Sequence, residues 1–472
     1  MTRSAADVGR GLAAPRAARP IAAGERIHVV GAAGAGASAA ALLAARAGAA
    51  VSGCDPGGPS PYTAALEAAG IPLAWAHSPD HLVVNGRGAP AVDRLAVTKA
   101  LTAVDPDNAE LAAAHALNIP TEPWQQVIAD AATTSGQRLV AVAGTHGKST
   151  TAGWLVDVLV RADRDPSAFV GALLPESLSG GQPSTSRWGQ GDTFVVEADE
   201  YAGNFDAYVP ALIVLLNAEW DHPDVFADEA AVFDAFEAWI RRAPSATLVA
   251  NDKDRGVGEI LNRLGKRPGA VIRATELPDE LVVGLPGSAN DDNARCVLAA
   301  GTFLGVPLDV MRQSLAEYRG VGRRMELKGE VAGVVVLDDY GHHPTAIAKT
   351  MEAARERYPG RRLWAVYEPL TFHRTVAMLD RFADVLSTAD AVAIADIWAG
   401  RDPDTTVTSS AALADAVNER GAGHAEATGS AEATADHLAA SVEPGDVVLV
   451  MGGGRSYVIA QRLVERLEPA TR

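Results

Sequence analysis

Lys148 and Ser149 close the run LVAVAGTHGKSTT, residues 139–151, in which five apolar residues give way to Gly144-Thr145-His146-Gly147 and then to Lys148-Ser149-Thr150. Those residue types in that order point to a nucleoside triphosphate. A strand feeding a glycine-containing loop that opens a helix aims backbone N–H groups and the positive helix end at phosphate oxygens; the lysine reaches the β/γ-phosphates and the Ser149 hydroxyl holds Mg²⁺. The spacing departs from the common G-x-x-x-x-G-K-[ST] loop, because Val142 stands five before Gly147 and the first glycine, Gly144, only three before it. A plain turn with a solvated lysine is the competing reading, and the flanking apolar strand disfavours it.

Further along, FVVEADEY places Glu197, Asp199 and Glu200 at the carboxyl end of a strand, where open α/β sheets bind ligands. Glu197 is then positioned to take Mg²⁺ beside Ser149. The next apolar run ends in NAEWDHPD, which brings Asp221 and His222 to the same kind of edge and suits a metal or phosphoryl role. Asn290 and Asn293 precede Cys296 and fit either a helix N-cap or an adenine contact, which needs the paired donor and acceptor of an amide. Gly322-Arg323-Arg324 offers an arginine to phosphate. Asp338, Asp339, Tyr340, His342 and His343 follow another apolar run; adjacent histidines on an extended loop point apart, so ribose or substrate recognition is expected there rather than one shared ion. His373-Arg374 is a second basic spot, suited to a carboxylate.

These residues need strands that end at a common edge, and the chain supplies them. With 472 residues, 48% hydrophobic content, 45 glycines and 27 prolines, an α/β protein of about three domains is expected on a prior of roughly 150 residues each. A loose extension is expected over residues 1–25, a first α/β domain over 26–134, a central nucleotide domain over 135–322 and a third α/β domain over 323–472. The first opens with RIHVVGAAGAGASAAALLAARAGAAVSGCD, a strand-turn-helix-strand unit. Its Gly31, Gly34 and Gly36, with Asp55 about 20 residues on, approach the dinucleotide design without matching it. NAD, a nucleotide-sugar diphosphate and mere close packing all remain open from this segment alone. Helices are expected near Trp124–Ala132, Thr150–Arg161, Ala231–Ala243 and Asn293–Leu304.

A net charge of −18 excludes a surface that binds nucleic acid or anionic lipid at large. No run approaches the 18 or so apolar residues of a membrane span. The two cysteines, Cys54 and Cys296, lie far apart and suggest neither a disulfide framework nor a thiolate metal site, so a reducing cytoplasm is expected.

Taken in order, IHVVGAAGAGAS, AGTHGKSTT, VVEADE, NAEWDHPD, the asparagine pair, GRRMELKGE, DDYGHHPTAI and PGDVVLVMGGG resemble the Mur ligase family over residues 26–470. The resemblance implies a Rossmann-like N-terminal domain for a UDP-linked sugar, a central P-loop ATPase domain with a mostly parallel sheet, and a C-terminal Rossmann-like domain for the amino acid. It implies ATP with two Mg²⁺ ions, UDP-N-acetylmuramate and L-alanine as substrates, an acyl-phosphate intermediate, a role in peptidoglycan precursor synthesis, and a monomer or homodimer. By the same resemblance Lys148, Glu197, His222 and Arg324 are catalytic; Gly144 to Thr150, Asn293, Arg324 and Asp339 surround ATP; and Ser149, Glu197 and His222 hold metal. Gly34, Gly36, Ser38 and Asp55 meet the UDP portion, and Tyr340, His342 and Arg374 the amino acid or carboxylate. EADEY, NAEWDHPDVF and YPGRRLWAVYEP lean instead toward relatives that attach a ready-made tripeptide, L-Ala-γ-D-Glu-meso-diaminopimelate. Some relatives hold a metal through a carbamylated lysine downstream of Asp221-His222; no lysine lies between His222 and Asp252, so none is expected here.

Overall fold

A computed structural model describes residues 2–84, 90–277, 281–400, 402, 404–421 and 424–468. The α/β alternation resolves into three sheets. The first is five-stranded and parallel, in the order β3-β2-β1-β4-β5. Its strands are β1 (Arg26–Val30), β2 (Ala50–Cys54), β3 (Leu73–Ala74), β4 (Arg94–Val97) and β5 (Thr121–Pro123). The order reverses between β1 and β4, and at such a switch point a crevice opens beyond the carboxyl ends of the strands.

The second sheet has seven strands, ordered β12-β11-β10-β6-β9-β7-β8, with only β8 antiparallel to its neighbour. They are β6 (Arg138–Ala143), β7 (Ser167–Leu174), β8 (Ser184–Arg187), β9 (Thr193–Ala198), β10 (Leu212–Leu215), β11 (Thr247–Ala250) and β12 (Val271–Arg273). β6, β9 and β10 are apolar almost throughout, as strands covered by helices on both faces must be. The third sheet is ordered β13-β14-β18-β15-β16-β17, with β13 antiparallel to β14 and the rest parallel. It comprises β13 (Glu326–Val331), β14 (Val334–Asp339), β15 (Leu363–Glu368), β16 (Ala391–Ala395), β17 (Ala425–Gly429) and β18 (Val447–Gly452).

The first two sheets belong to one compact unit, which also takes in Asp292–Val321; the third sheet forms the other, with Leu285–Asp291 and His222–Asp224. Within the first unit one apolar core runs from Ile27, Leu43 and Val127 to Phe169, Phe194 and Val196. The helix Ala35–Arg46 makes this possible. Its buried face is Ala37, Ala39, Ala40, Ala41 and Ala44 with Leu42 and Leu43, and small side chains let a helix approach the layers on either side of it. Gly36 is part of the same fit: a Cβ there would lie 2.2 Å from the Trp124 ring. Trp124 in turn meets Phe169 edge-on, with centroids 5.4 Å apart.

Residues 4–25 are not the loose extension that composition suggested. Ser4 caps a short helix, Ala5–Val8, and Val8 is fully buried. Arg16 donates to Glu122 at 2.6 Å and to Asp130 at 2.7 Å, and the buried Arg94 reaches the same two carboxylates at 2.9 and 2.5 Å. The two arginines therefore share two acids, which offsets the cost of burying them. The expected helices are present with shifted ends. The helix after the glycine loop starts at Lys148 rather than Thr150, and the one expected from Asn293 spans Ser288–Phe303.

Candidate active site

β6 delivers the glycine loop to the carboxyl edge of the second sheet. Gly144 has φ +147°, and a Cβ there would press to 3.1 Å on the backbone of Asn217; Gly147 has φ +80° and caps the helix Lys148–Arg161. Neither conformation suits an ordinary L-residue. The loop is clamped from β10: the Asn217 Oδ1 accepts the His146 N–H at 2.8 Å while its Nδ2 donates to the His146 carbonyl at 3.0 Å. Glu219 adds to the clamp, accepting the Thr145 hydroxyl on its carbonyl at 3.1 Å and meeting His146 Nε2 with its carboxylate at 3.1 Å. Asn217 and Glu219 were passed over in the sequence, although both lie in the NAEWDHPD segment.

The parallel register aligns Val142 with Glu197 and Ala143 with Ala198, so the loop and the acidic run start at the same level. Lys148 Nζ donates to the Gly144 carbonyl at 2.7 Å and to Glu200 Oε2 at 3.1 Å, with Asp199 Oδ1 at 3.9 Å. Burial would lower the lysine's pKa, but Glu200, Asp199 and Glu197 outweigh it and hold the ammonium firmly charged. Glu200 is itself buried, and burial pushes its carboxyl up to about 7 against the pull of Lys148. Glu197 turns one oxygen to the Gly171 N–H at 2.6 Å. Ser149 is buried in the first helical turn. A hydroxyl and carboxylates at one strand edge form an oxygen donor set that fits Mg²⁺.

Asn293 lies well inside its helix, which excludes the N-cap reading. Its amide packs on the loop instead: a Cβ on Gly147 would meet Asn293 Oδ1 at 2.8 Å. Asn290 donates to the Pro286 carbonyl at 2.7 Å.

In the first sheet, Gly31 turns at φ +85° and Gly34 caps the helix Ala35–Arg46. Asp55 fastens this loop, accepting the Ala33 N–H at 3.0 Å and the Gly57 N–H at 2.8 Å. Ser38 is fully buried and bonded to the Ala35 carbonyl at 2.9 Å and to Thr185 at 3.2 Å. Ser38 and Gly36 thus serve packing, whereas Gly34 and Asp55 shape the loop. Lys99 went unremarked in the sequence. Burial pulls its ammonium down to about 8 despite Asp206 and Asp199, and it donates to the Ala202 carbonyl at 2.7 Å.

In the third sheet Arg323 and Arg324 take different places. Arg323 is buried, donates to the Gly452 carbonyl at 2.8 Å and to the Ser456 hydroxyl at 2.6 Å, and lies 3.3 Å from Asp338. Arg324 lies over the Tyr340 ring, 4.8 Å from its centroid. Asp339 receives the Met325 N–H at 2.9 Å and the Gly341 N–H at 2.7 Å, so its carboxylate orders the loop that carries Tyr340. The two histidines do part: His342 bonds the Tyr340 carbonyl at 3.0 Å, while the buried His343 caps the helix Pro344–Arg357. Arg374 is buried and lies 3.1 Å from His222 Nδ1. Because a guanidinium only donates, Nδ1 must accept and Nε2 carry the proton.

The Mur ligase catalytic-domain model matches residues 26–135, and the Mur ligase glutamate-ligase-domain model residues 323–454. A UDP-N-acetylmuramate–L-alanine ligase of Kineococcus radiotolerans is 37% identical over 469 residues, 94% of this chain and 96% of that one. The chain belongs to the Mur ligase family. Among solved Mur ligase structures, the UDP-N-acetylmuramate–alanine ligase of Thermotoga maritima superposes with a TM-score of 0.75 at 26% identity, covering 93% of this chain and 98% of that one. The UDP-N-acetylmuramate:L-alanyl-γ-D-glutamyl-meso-diaminopimelate ligase of Neisseria meningitides gives 0.55 at 28%, covering 64% of this chain and 100% of that one. The three sheets are thus those of a three-domain Mur ligase.

Proposed function

We propose that this chain joins L-alanine to the lactyl carboxylate of UDP-N-acetylmuramate at the expense of ATP, yielding ADP and phosphate in peptidoglycan precursor synthesis in the cytoplasm. The observation that carries the reading is Lys148 set among Glu197, Asp199 and Glu200 at one sheet edge, in a chain alignable almost end to end with L-alanine ligases. Among the described residues, no helix is long and apolar enough to cross a membrane.

A carboxylate resists attack by an amine because its charge repels the nucleophile and oxide is a poor leaving group. Transfer of the γ-phosphoryl to a lactyl oxygen removes both obstacles and gives an acyl phosphate and ADP. The amine then attacks the acyl carbon, phosphate departs with the bridging oxygen, and the nitrogen loses a proton. An α-amino group titrating near about 8 needs little help for that loss. Lys148 and the N–H groups of the Gly144–Thr150 loop neutralise the transferred charge. Mg²⁺, held by Ser149 and Glu197, supplies further charge neutralisation when bound. Asn293, packed on Gly147, is assigned to the nucleotide. Gly34 and Asp55 shape the loop for the UDP portion. Tyr340, His342 and Arg374 are assigned to the amino acid or carboxylate, with the Arg323 carbonyl accepting the Tyr340 N–H at 2.9 Å.

Phosphate release from ATP, measured with and without UDP-N-acetylmuramate and with L-alanine, glycine, L-serine or the tripeptide, tests the proposal. Release that needs both UDP-N-acetylmuramate and L-alanine is expected. Release driven best by the tripeptide transfers the assignment to the recycling reaction, and release indifferent to both substrates overturns it.

A further inference from the structure

Away from the glycine loops, four donor groups from separate elements of the first sheet and its surroundings gather beneath the carboxyl ends of β1 and β2. They are His28 on β1, Cys54 at the end of β2, His81 in the turn Pro79–Leu82 and Glu110 in the first turn of the helix Ala109–Ala116. One donor atom from each lies within 4.8 Å of all the others. We propose that these four residues form a binding site for a divalent transition metal of the Zn²⁺ class.

The distances are those of ligands already assembled. Glu110 Oε1 lies 3.2 Å from His28 Nε2 and 2.8 Å from His81 Nδ1, and Glu110 Oε2 lies 3.2 Å from Cys54 Sγ. Donors on a tetrahedral zinc ion with bonds of about 2.0–2.3 Å stand about 3.3–3.8 Å apart, so an ion requires a slight expansion and no rebuilding. His28 is already oriented: its Nδ1 is bonded to Ser52 Oγ at 2.8 Å, which turns Nε2 inward. This outer hydrogen bond is the usual way a metal-binding imidazole is fixed. His28 is only 2% exposed, and its inward Nε2 faces Glu110 Oε1 at 3.2 Å without the alignment of a good hydrogen bond.

A hydrogen-bonded cluster alone accounts for these groups poorly. It leaves the buried His28 Nε2 poorly aligned with the Glu110 carboxylate, and it sets a buried thiol against that same fully buried carboxylate. A dication changes the balance. One thiolate and one carboxylate cancel its charge, the two imidazoles bind as neutral ligands, and a net neutral site suits burial. Binding expels the Cys54 proton to solvent as the sulfur–metal bond forms. His77, 3.3 Å from Cys54 Sγ, stands at the more open side of the cluster with His81 and marks the way in. Asp55, which follows Cys54 directly, holds the Ala33 N–H of the glycine turn, so an ion here would brace that turn from below.

The full-length protein, stripped with chelator and saturated with MgATP to occupy the nucleotide loop, is titrated with Zn²⁺ and separately with Co²⁺. Wild type is expected to retain one more equivalent of zinc than Cys54→Ser or His81→Gln, with affinity falling about 100-fold or more in either variant. Its cobalt form is expected to show tetrahedral ligand-field bands and a thiolate-to-cobalt charge-transfer band that Cys54→Ser abolishes. Circular dichroism checks that each variant folds; if Cys54→Ser does not, the less buried His81→Gln carries the comparison. Equal zinc content in wild type and a folded variant, or a cobalt form without the charge-transfer band, overturns the proposal.

Discussion

The two glycine loops of the first unit share a plan and differ in chemistry. Each leaves a parallel strand, turns through a glycine at positive φ and opens a helix, Ala35–Arg46 in one case and Lys148–Arg161 in the other. The first turn is fastened by Asp55, and its glycines make room for Thr98 and Trp124. The second is fastened by Asn217 and Glu219 and carries Lys148 against Glu200. Backbone geometry is therefore alike in the two, but only the second sets a cation against acids, Lys148 against Glu200. Glycine spacing marks a place for an anion; the charged groups that converge there decide whether it is held or transferred.

The sharpest way to break this comparison is to remove the cation. Lys148→Ala should lower kcat for amide formation by about 1,000-fold or more while leaving affinity for the UDP-sugar unchanged by equilibrium titration. Comparable losses in both would mean that the loops do not divide the work. In the first loop the corresponding change is steric. Gly36→Ala drives a methyl to 2.2 Å from the Trp124 ring, and chemical denaturation should show a loss of about 1–3 kcal/mol with the KM for ATP unaltered.

Glu200 sharpens the contrast through pH. Its folded pKa of about 7 lies above the ordinary 4.5, so between those values the native state binds the extra proton and stability falls as pH rises. The cost is absent below 4.5 and fully present above 7. Denaturation of the nucleotide-free protein should show this slope, at most about 1.4 kcal/mol per pH unit, and Glu200→Gln should flatten it. A slope unchanged in the variant would place the proton elsewhere. The smallest effect is expected from Asn217→Ala, which frees the His146 backbone; the KM for ATP should rise about tenfold, worth about 1.4 kcal/mol, with the KM for the UDP-sugar unmoved.

Much of this was legible in the sequence because it is local. Apolar runs of strand length, each followed by a helix-length segment, outlined the parallel sheets, and the glycine loop, the lysine and the strand-end acids were readable in place. What escaped is long-range or polar. β8 and β17 are short, polar edge strands, STSR and AEATG, without an apolar pattern to reveal them. Arg16 finds its partners at Glu122 and Asp130, and no periodicity near residue 16 announces them. The same holds for the site residues: Arg323 is anchored by the Gly452 carbonyl and the Ser456 hydroxyl, which lie far along the chain. The engagement of His222 by Arg374 likewise depends on a residue 152 positions away. Cys54 suggests no metal site from its spacing, and only the fold brings His28, His81 and Glu110 to it.

The central claim is that phosphate taken from ATP activates the lactyl carboxylate. UDP-N-acetylmuramate labelled with ¹⁸O in that carboxylate, turned over with ATP and L-alanine, tests it by mass spectrometry of the phosphate released. The account predicts one labelled oxygen in each phosphate formed with the amide. Unlabelled phosphate accompanying amide formation would contradict it.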